Sequence, residues 1–181
     1  MSDVNGTHVM VDIETLGQRP GNHVILSIAA VKFDSDGVHM QDLFDEEISK
    51  ESCEKYGMES DGDTVEWWDK QDATYTEQGR PLGDVLRDFA NWLPNRKFYI
   101  WSKGPSFDCA FLKEAYMQCD GVGEEPWKFW LERDVRTVEH VFEEEHGGSS
   151  PEPDDLDGTD HDPAYDVKKQ ALSVLISLRG T

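Results

Sequence analysis

From residue 8 to residue 14 the chain reads His-Val-Met-Val-Asp-Ile-Glu, apolar until its end, and a run of this length and kind predicts a strand. Ile25 to Phe33 predicts a second, mostly buried strand, and Val38 to Ile48 a third with rougher alternation. Between them lie Gly17-Gln18-Arg19-Pro20-Gly21-Asn22 and Asp34-Ser35-Asp36-Gly37, both rich in turn formers. Three strands joined by short turns predict an antiparallel start to a sheet. The period then changes. Asp63-Thr64 can cap a short helix through Trp67-Trp68, and Pro81 opens a longer one on which Leu82, Val85, Leu86, Phe89, Trp92 and Leu93 share a face. Phe98 to Trp101 predicts a compact strand, Ser106 to Gln118 a helix, and residues 131–136 a short last strand running into a helix through Glu144. Residues 146–160 predict a flexible acidic loop. Pro163 opens a final helix with Ala164, Val167, Ala171, Leu175 and Leu178 on one side. The order βββ-α-β-α-β-α predicts an α/β fold, a mixed sheet flanked by helices, as one domain over residues 1–181 with its core at about 7–178.

Composition narrows the setting. A chain of 181 residues with six tryptophans can bury one sizeable core. Three widely spaced cysteines, Cys53, Cys109 and Cys119, make no zinc-like pair and suit reduced thiols in the cytoplasm. No apolar run reaches the length of a membrane span, and residues 1–8 lack the basic start and apolar centre of a signal peptide. A soluble, cytoplasmic protein with no membrane partner is expected. The net charge of −21 opposes long polyanions, although bound metal ions offset carboxylates where a phosphate arrives.

The chemistry starts with Asp12 and Glu14. Acids are poor strand formers, and residues two apart on a strand share a face, so these two carboxylates converge. Burying them together is costly unless a cation neutralises them, and oxygen-only ligation suits magnesium or manganese. The spacing alone says little: Asp45-Glu46-Glu47 repeats it within a polar charge run that reads as a solvated face. Asp108 follows a strand and the Ser102-Lys103-Gly104-Pro105 turn in the first turn of a helix, where an acid also simply favours the helix dipole. His161-Asp162-Pro163-Ala164-Tyr165-Asp166 joins the acidic loop to the last helix, with Asp162-Pro163 as cap and first position and Asp166 near the end of the first turn. Each place is a strand end or a helix start, where α/β folds gather functional groups.

The pattern D-x-E, then Asp108, then H-x-x-x-x-D resembles the DEDD exonuclease superfamily in its histidine-bearing (DEDDh) branch, over nearly the whole chain. DIETLG, G-x-R-P-G, VILSIAAVKFD, Thr64-Val65-Glu66-Trp67-Trp68, W-S-x-G-x-S-FD and Arg133-Asp134-Val135-Arg136-Thr137 are similar to phage exonuclease VIII-like proteins and to the mycobacterial-type 3′-5′ exoribonuclease family. Lys103 departs from the pattern, where relatives often carry a small polar or amide residue. The resemblance implies an RNase H-like fold and a 3′-5′ exonuclease, located in the host cytoplasm if phage-encoded. It also implies a homodimer and two divalent ions, Mg2+ or Mn2+, held by Asp12, Glu14, Asp108 and Asp166. His161 would be the general base that takes a proton from the attacking water, a role imidazole suits near neutral pH. Thr15, Leu16 and Gly17 would seat the terminal nucleotide, with Leu16 as a wedge against its base. Trp67, Trp68, Phe107 and Tyr165 are candidate stacking platforms for single-stranded or 3′-overhanging DNA or RNA, although each aromatic could equally pack the core. At least one of Trp67 and Trp68 is expected in the core, because adjacent helical residues do not share a face. Arg133 and Arg136 read as structural partners of nearby acids rather than phosphate ligands. The contrasting expectation is a silent nuclease fold that binds nucleic acid or a protein without cutting. A third, an acidic interaction protein or nucleic-acid mimic, rests on charge alone and leaves the strand-end carboxylates unexplained.

Overall fold

The computed structural model describes residues 7–71, 75–149, 156, 158–159 and 161–179. β1 (Thr7–Thr15), β2 (Ile25–Asp34) and β3 (Gly37–Glu47) form an antiparallel meander. Three helices follow, α1 (Lys50–Glu54), α2 (Gly62–Trp68) and α3 (Leu82–Trp92). β4 (Phe98–Ser102) then joins the other edge of β1 in parallel, and α4 (Asp108–Gln118) runs back from it. A single 3₁₀ turn (Phe129–Leu131) leads to β5 (Glu132–Asp134), parallel to β4, and the chain closes with α5 (Val135–His146) and α6 (Pro163–Arg179). The sheet order is β3-β2-β1-β4-β5.

β1 divides the core. Val9, Val11 and Ile13 point into the larger apolar cluster with Leu86 and Phe89 of α3 and Leu112 of α4. Met10 points to the opposite face with Val167, Ala171 and Val174 of α6. Strand alternation therefore puts Asp12 and Glu14 on the α6 side, at the sheet end where the first turn of α6 begins. The same alternation buries His8 between the rings of Phe33 and Tyr99, where its Nδ1 accepts from Trp101 Nε1 at 2.8 Å. Burial, reinforced by the Arg133 cation, pulls that imidazole down to about 4 and keeps it neutral.

Local signals and structure differ at three points. The α2 cap is Asp61 rather than Asp63-Thr64: its Oδ2 accepts from the Thr64 amide at 3.0 Å and the Thr64 hydroxyl at 2.8 Å, which shifts the helix start towards Gly62. α1 carries too few apolar residues to announce itself by period, and Ser49 caps it through the Ser52 amide. α5 extends to His146 and stops at Gly147, whose φ of 70° suits glycine. Most of the acidic 146–160 stretch lies outside the described residues.

Candidate active site

Three parts of the fold deliver the site. β1 brings Asp12 and Glu14 to its C-terminal end, paired across β2 with Ala29 and Ser27. The turn after β4 brings Asp108, 5% exposed, to the first position of α4. The α6 start brings His161 and Asp166, and Asp162 caps that helix by accepting from the amides of Ala164 and Tyr165 at 3.0 and 3.3 Å.

A ring nitrogen of His161 and carboxylate oxygens of Glu14 and Asp166 all lie within 4.8 Å of one another. His161 sits at φ 69°, an uncommon conformation for a residue with a Cβ, and its amide donates to Asp166 Oδ2 at 3.0 Å. Its ring is set edge-on to Trp67, with centroids 5.1 Å apart. Asp12 and Asp108 lie outside that tight triple, but both are felt electrostatically by Glu14. Burial, then Asp12, Asp166 and Asp108, pushes Glu14 up to about 9. Burial and Asp108 likewise hold Asp12 well above the carboxylate range, against the pull of Gln170. Burial lifts Asp108 to about 6, opposed by the Ser102 hydroxyl, backbone amides and the Arg136 cation. Carboxylates crowded so that each disfavours the charge of the next form a donor set that a hard divalent cation would relieve.

Glu14 predicts a measurable pH dependence. Its folded value near 9 lies above the ordinary 4.5, so between these limits the native state keeps a proton that the unfolded chain releases, and stability falls as pH rises. In EDTA, urea unfolding of the wild type should lose stability from pH 5.5 to 8.5, and Glu14→Gln should lose less. Parallel stability curves for the two proteins would contradict this.

The remaining residues divide. A cleft of about 880 Å³ opens beside Glu14 and is lined by Thr15, Gly17, Trp67 and Phe107, so these four do gather at the site. Trp67 is 41% exposed while Trp68 is buried and donates its Nε1 to the Thr15 carbonyl at 3.1 Å. Leu16 is corrected. It is fully buried in the main core, its amide donates to Val24 and its carbonyl accepts from Asp61. Neither its side chain nor its backbone is free for a nucleotide, and its burial instead contributes about 1.5–3 kcal/mol. Tyr165 is corrected too: it lines neither this cleft nor the smaller one beside His161, and its ring packs against Gly158 under Lys169. Asp45 and Glu47 are exposed, as a solvated run requires, yet they line that smaller cleft with Glu14 and His161. Lys103 pairs with Glu139 at 3.2 Å. Arg136 donates to the Lys103 carbonyl, while Arg133 donates to the Trp130 and Glu132 carbonyls and covers the Tyr99 ring. Sequence reasoning overlooked Gln170, whose Nε2 donates to Asp12 Oδ1 at 3.1 Å. Its signal was a polar residue one turn after Asp166, on the face of α6 that carries Val167, Ala171 and Val174.

A mixed sheet in this order, with acids from β1, α4 and α6 at one end, defines the DEDD class of exonucleases on an RNase H-like fold. Within it the chain belongs to the 3′-5′ exoribonuclease Rv2179c-like domain family, whose model matches residues 7–177; it is a 3′-5′ exonuclease, a hydrolase. A phage T4 protein named exodeoxyribonuclease is 26% identical over 202 residues, covering 94% of this chain and 88% of its own. Among solved structures, the zinc-ion-bound form of an E. coli exonuclease I–single-stranded DNA complex matches with a TM-score of 0.65 at 14% identity, covering 96% of this chain and 41% of that one. E. coli exonuclease I in complex with a dA13 oligonucleotide gives 0.63 at 14% identity, covering 97% and 40%. The chain thus spans about two fifths of the exonuclease I chains it matches, and that likeness shows the fold. No helix among the described residues is long and apolar enough to cross a membrane.

Proposed function

We propose that this enzyme hydrolyses the terminal phosphodiester of single-stranded or 3′-overhanging nucleic acid in a divalent-metal-dependent reaction, releasing nucleoside 5′-monophosphates. The observation that carries this is the convergence of Asp12, Glu14, Asp108, Asp166 and His161, from chain positions far apart, on one end of the sheet beside an open cleft. Asp12, Glu14, Asp108 and Asp166 would hold two Mg2+ or Mn2+ ions. Bound there, such ions neutralise charge on the reacting phosphate and acidify the attacking water.

The chain's own groups do the rest. Gln170 fixes the Asp12 carboxylate, so one oxygen is committed and the other is left for a cation. His161 takes the proton from the attacking water, its loop held to Asp166 by the amide hydrogen bond. The ring's edge-on contact with Trp67 couples the base to the cleft wall. The exposed part of Trp67, and Phe107 in the lining of the same cleft, offer faces for an unpaired base. Thr15 and Gly17 line the cleft where the terminal sugar would sit, without Leu16. The family description names RNA and the T4 relative DNA, so either sugar is a substrate under this proposal. A homodimer and a host-cytoplasmic setting are carried on the family likeness, and light scattering of the purified protein tests the former.

A 5′-labelled single strand incubated with Mg2+ or Mn2+ should show a ladder shortening from the 3′ end, abolished by EDTA. Matched DNA and RNA strands in the same assay assign the preferred sugar. Protein that is folded and metal-supplied but leaves every 3′-OH strand intact would sink the proposal.

A further inference from the structure

We propose that Arg19, with His23 beside it, grips the nucleic-acid backbone beyond the reacting phosphate and makes the enzyme favour oligonucleotides over mononucleotide esters. This rests on the exonuclease reading above and adds a length requirement to it.

Arg19 lies in the Gly-x-Arg-Pro-Gly turn between β1 and β2, a motif that the acids and His161 leave without a purpose. Gly17, Gln18 and Arg19 of this turn, with His23 after it, line the same large cleft as Glu14. At about 880 Å³ the cleft is near the top of the range of about 300–1,000 Å³ that encloses one small ligand. There is room for more than the reacting nucleotide. Arg19 is the one lysine or arginine among the described residues on this cleft, whose other charged walls are Glu14, Asp61 and Asp63. Among the described residues its guanidinium makes no hydrogen bond or close ion pair, although it lies near enough to Asp61 to favour that residue's charge. In a chain of net charge −21, Arg19 is the attracting charge that the described residues of this cleft offer to an entering strand of phosphates.

The platform under Arg19 is built rather than loose. The Asn22 and His23 amides both donate to the Arg19 carbonyl at 3.1 Å, and Gln118 donates to the Gly21 carbonyl at 2.8 Å. The Arg19 amide in turn donates to His23 Nδ1 at 3.2 Å. A ring nitrogen that accepts leaves the neutral imidazole's proton on Nε2, so His23 presents an N–H donor on the cleft wall. The ring lies directly over Gly17: a Cβ there would fall 1.8 Å from Nδ1, so only glycine admits it. An uncommitted guanidinium beside a fixed N–H donor suits the oxygens of a phosphodiester, which guanidinium binds in bidentate fashion.

Two substrates separate this proposal from the reading beneath it. One is a 5′-labelled single-stranded hexanucleotide. The other is the p-nitrophenyl ester of thymidine 5′-monophosphate, which offers a scissile bond with no sugar or phosphate on its far side. If the metal-supplied wild type cleaves neither, the exonuclease reading itself fails. With the wild type active on both, Arg19→Gln should lower the ratio of kcat/KM for hexanucleotide over ester about tenfold, mainly through KM, as the loss of a charged phosphate contact does. Arg19→Lys should recover part of the ratio. The slope of log(kcat/KM) against log salt for the hexanucleotide should flatten by about 0.7, one single-strand phosphate contact. Equal losses on both substrates would place Arg19 at the terminal nucleotide, and an unchanged ratio would make it a surface charge; either outcome overturns the proposal.

Discussion

Asp12→Asn is expected to lower exonuclease turnover by about a thousandfold or more while raising the Tm of the chelated protein by a few degrees. The two effects share one cause. Asp12 is packed beside Asp108 and within reach of the charges of Glu14 and Asp166, and both burial and Asp108 disfavour its ionised form. Asparagine keeps the shape and can still accept from Gln170 Nε2, but it contributes no charge to the repulsion or to a bound cation. Losing a metal-binding carboxylate at the reacting phosphate removes about 4 kcal/mol of transition-state stabilisation, which is a thousandfold in rate. Removing the crowded charge relieves strain in the folded state, the usual exchange between stability and activity at a site built for chemistry. Steady-state assay on a labelled strand and a thermal melt in EDTA check both halves. An Asn variant that keeps activity, or one that loses activity together with its fold, would contradict the assignment of Asp12.

His161→Asn is expected to cut kcat by about a hundredfold or more while leaving metal binding intact. The imidazole lies with Glu14 and Asp166 and against Trp67, on a residue whose left-handed backbone asparagine tolerates better than most. The substitution therefore preserves the loop and removes only the proton acceptor. Isothermal titration with Mn2+ should give wild-type affinity. Weakened Mn2+ binding in proportion to lost activity would make His161 a ligand instead of the base.

Much of the site could be read in the sequence because its signals are local. Asp12 and Glu14 share a face for the simple reason that a strand has a period of two, and Asp162-Pro163 announces the start of α6 and so the position of Asp166. The separation of Trp67 from Trp68 follows from helical geometry, and the structure exposes one and buries the other. The errors lie where a residue's role depends on what folds against it. Leu16 follows the two strand-end acids in a turn and looks like a wedge, but α2 and the β1–β2 loop close over it. Tyr165 adjoins Asp166 in sequence, yet consecutive helical residues point about 100° apart, and it faces Gly158 instead of the cleft. Gln170 and Asp12 are 158 positions apart, a pairing that no local pattern encodes.

By itself, then, the chain determined its strands and helices, the identity of the acids and histidine, and the ends of the elements on which they sit. These follow from backbone period and capping, which act over a few residues. Only the tertiary structure decided that β4 lies parallel beside β1, so that Asp108 arrives next to Asp12, and that α6 crosses the sheet with Gln170 under that carboxylate. It alone turned the Gly-x-Arg-Pro-Gly turn into the wall of a cleft. Burial, mutual repulsion among carboxylates and an uncommitted guanidinium are properties of groups brought together from distant positions, and they come into being when the sheet and helices close around them.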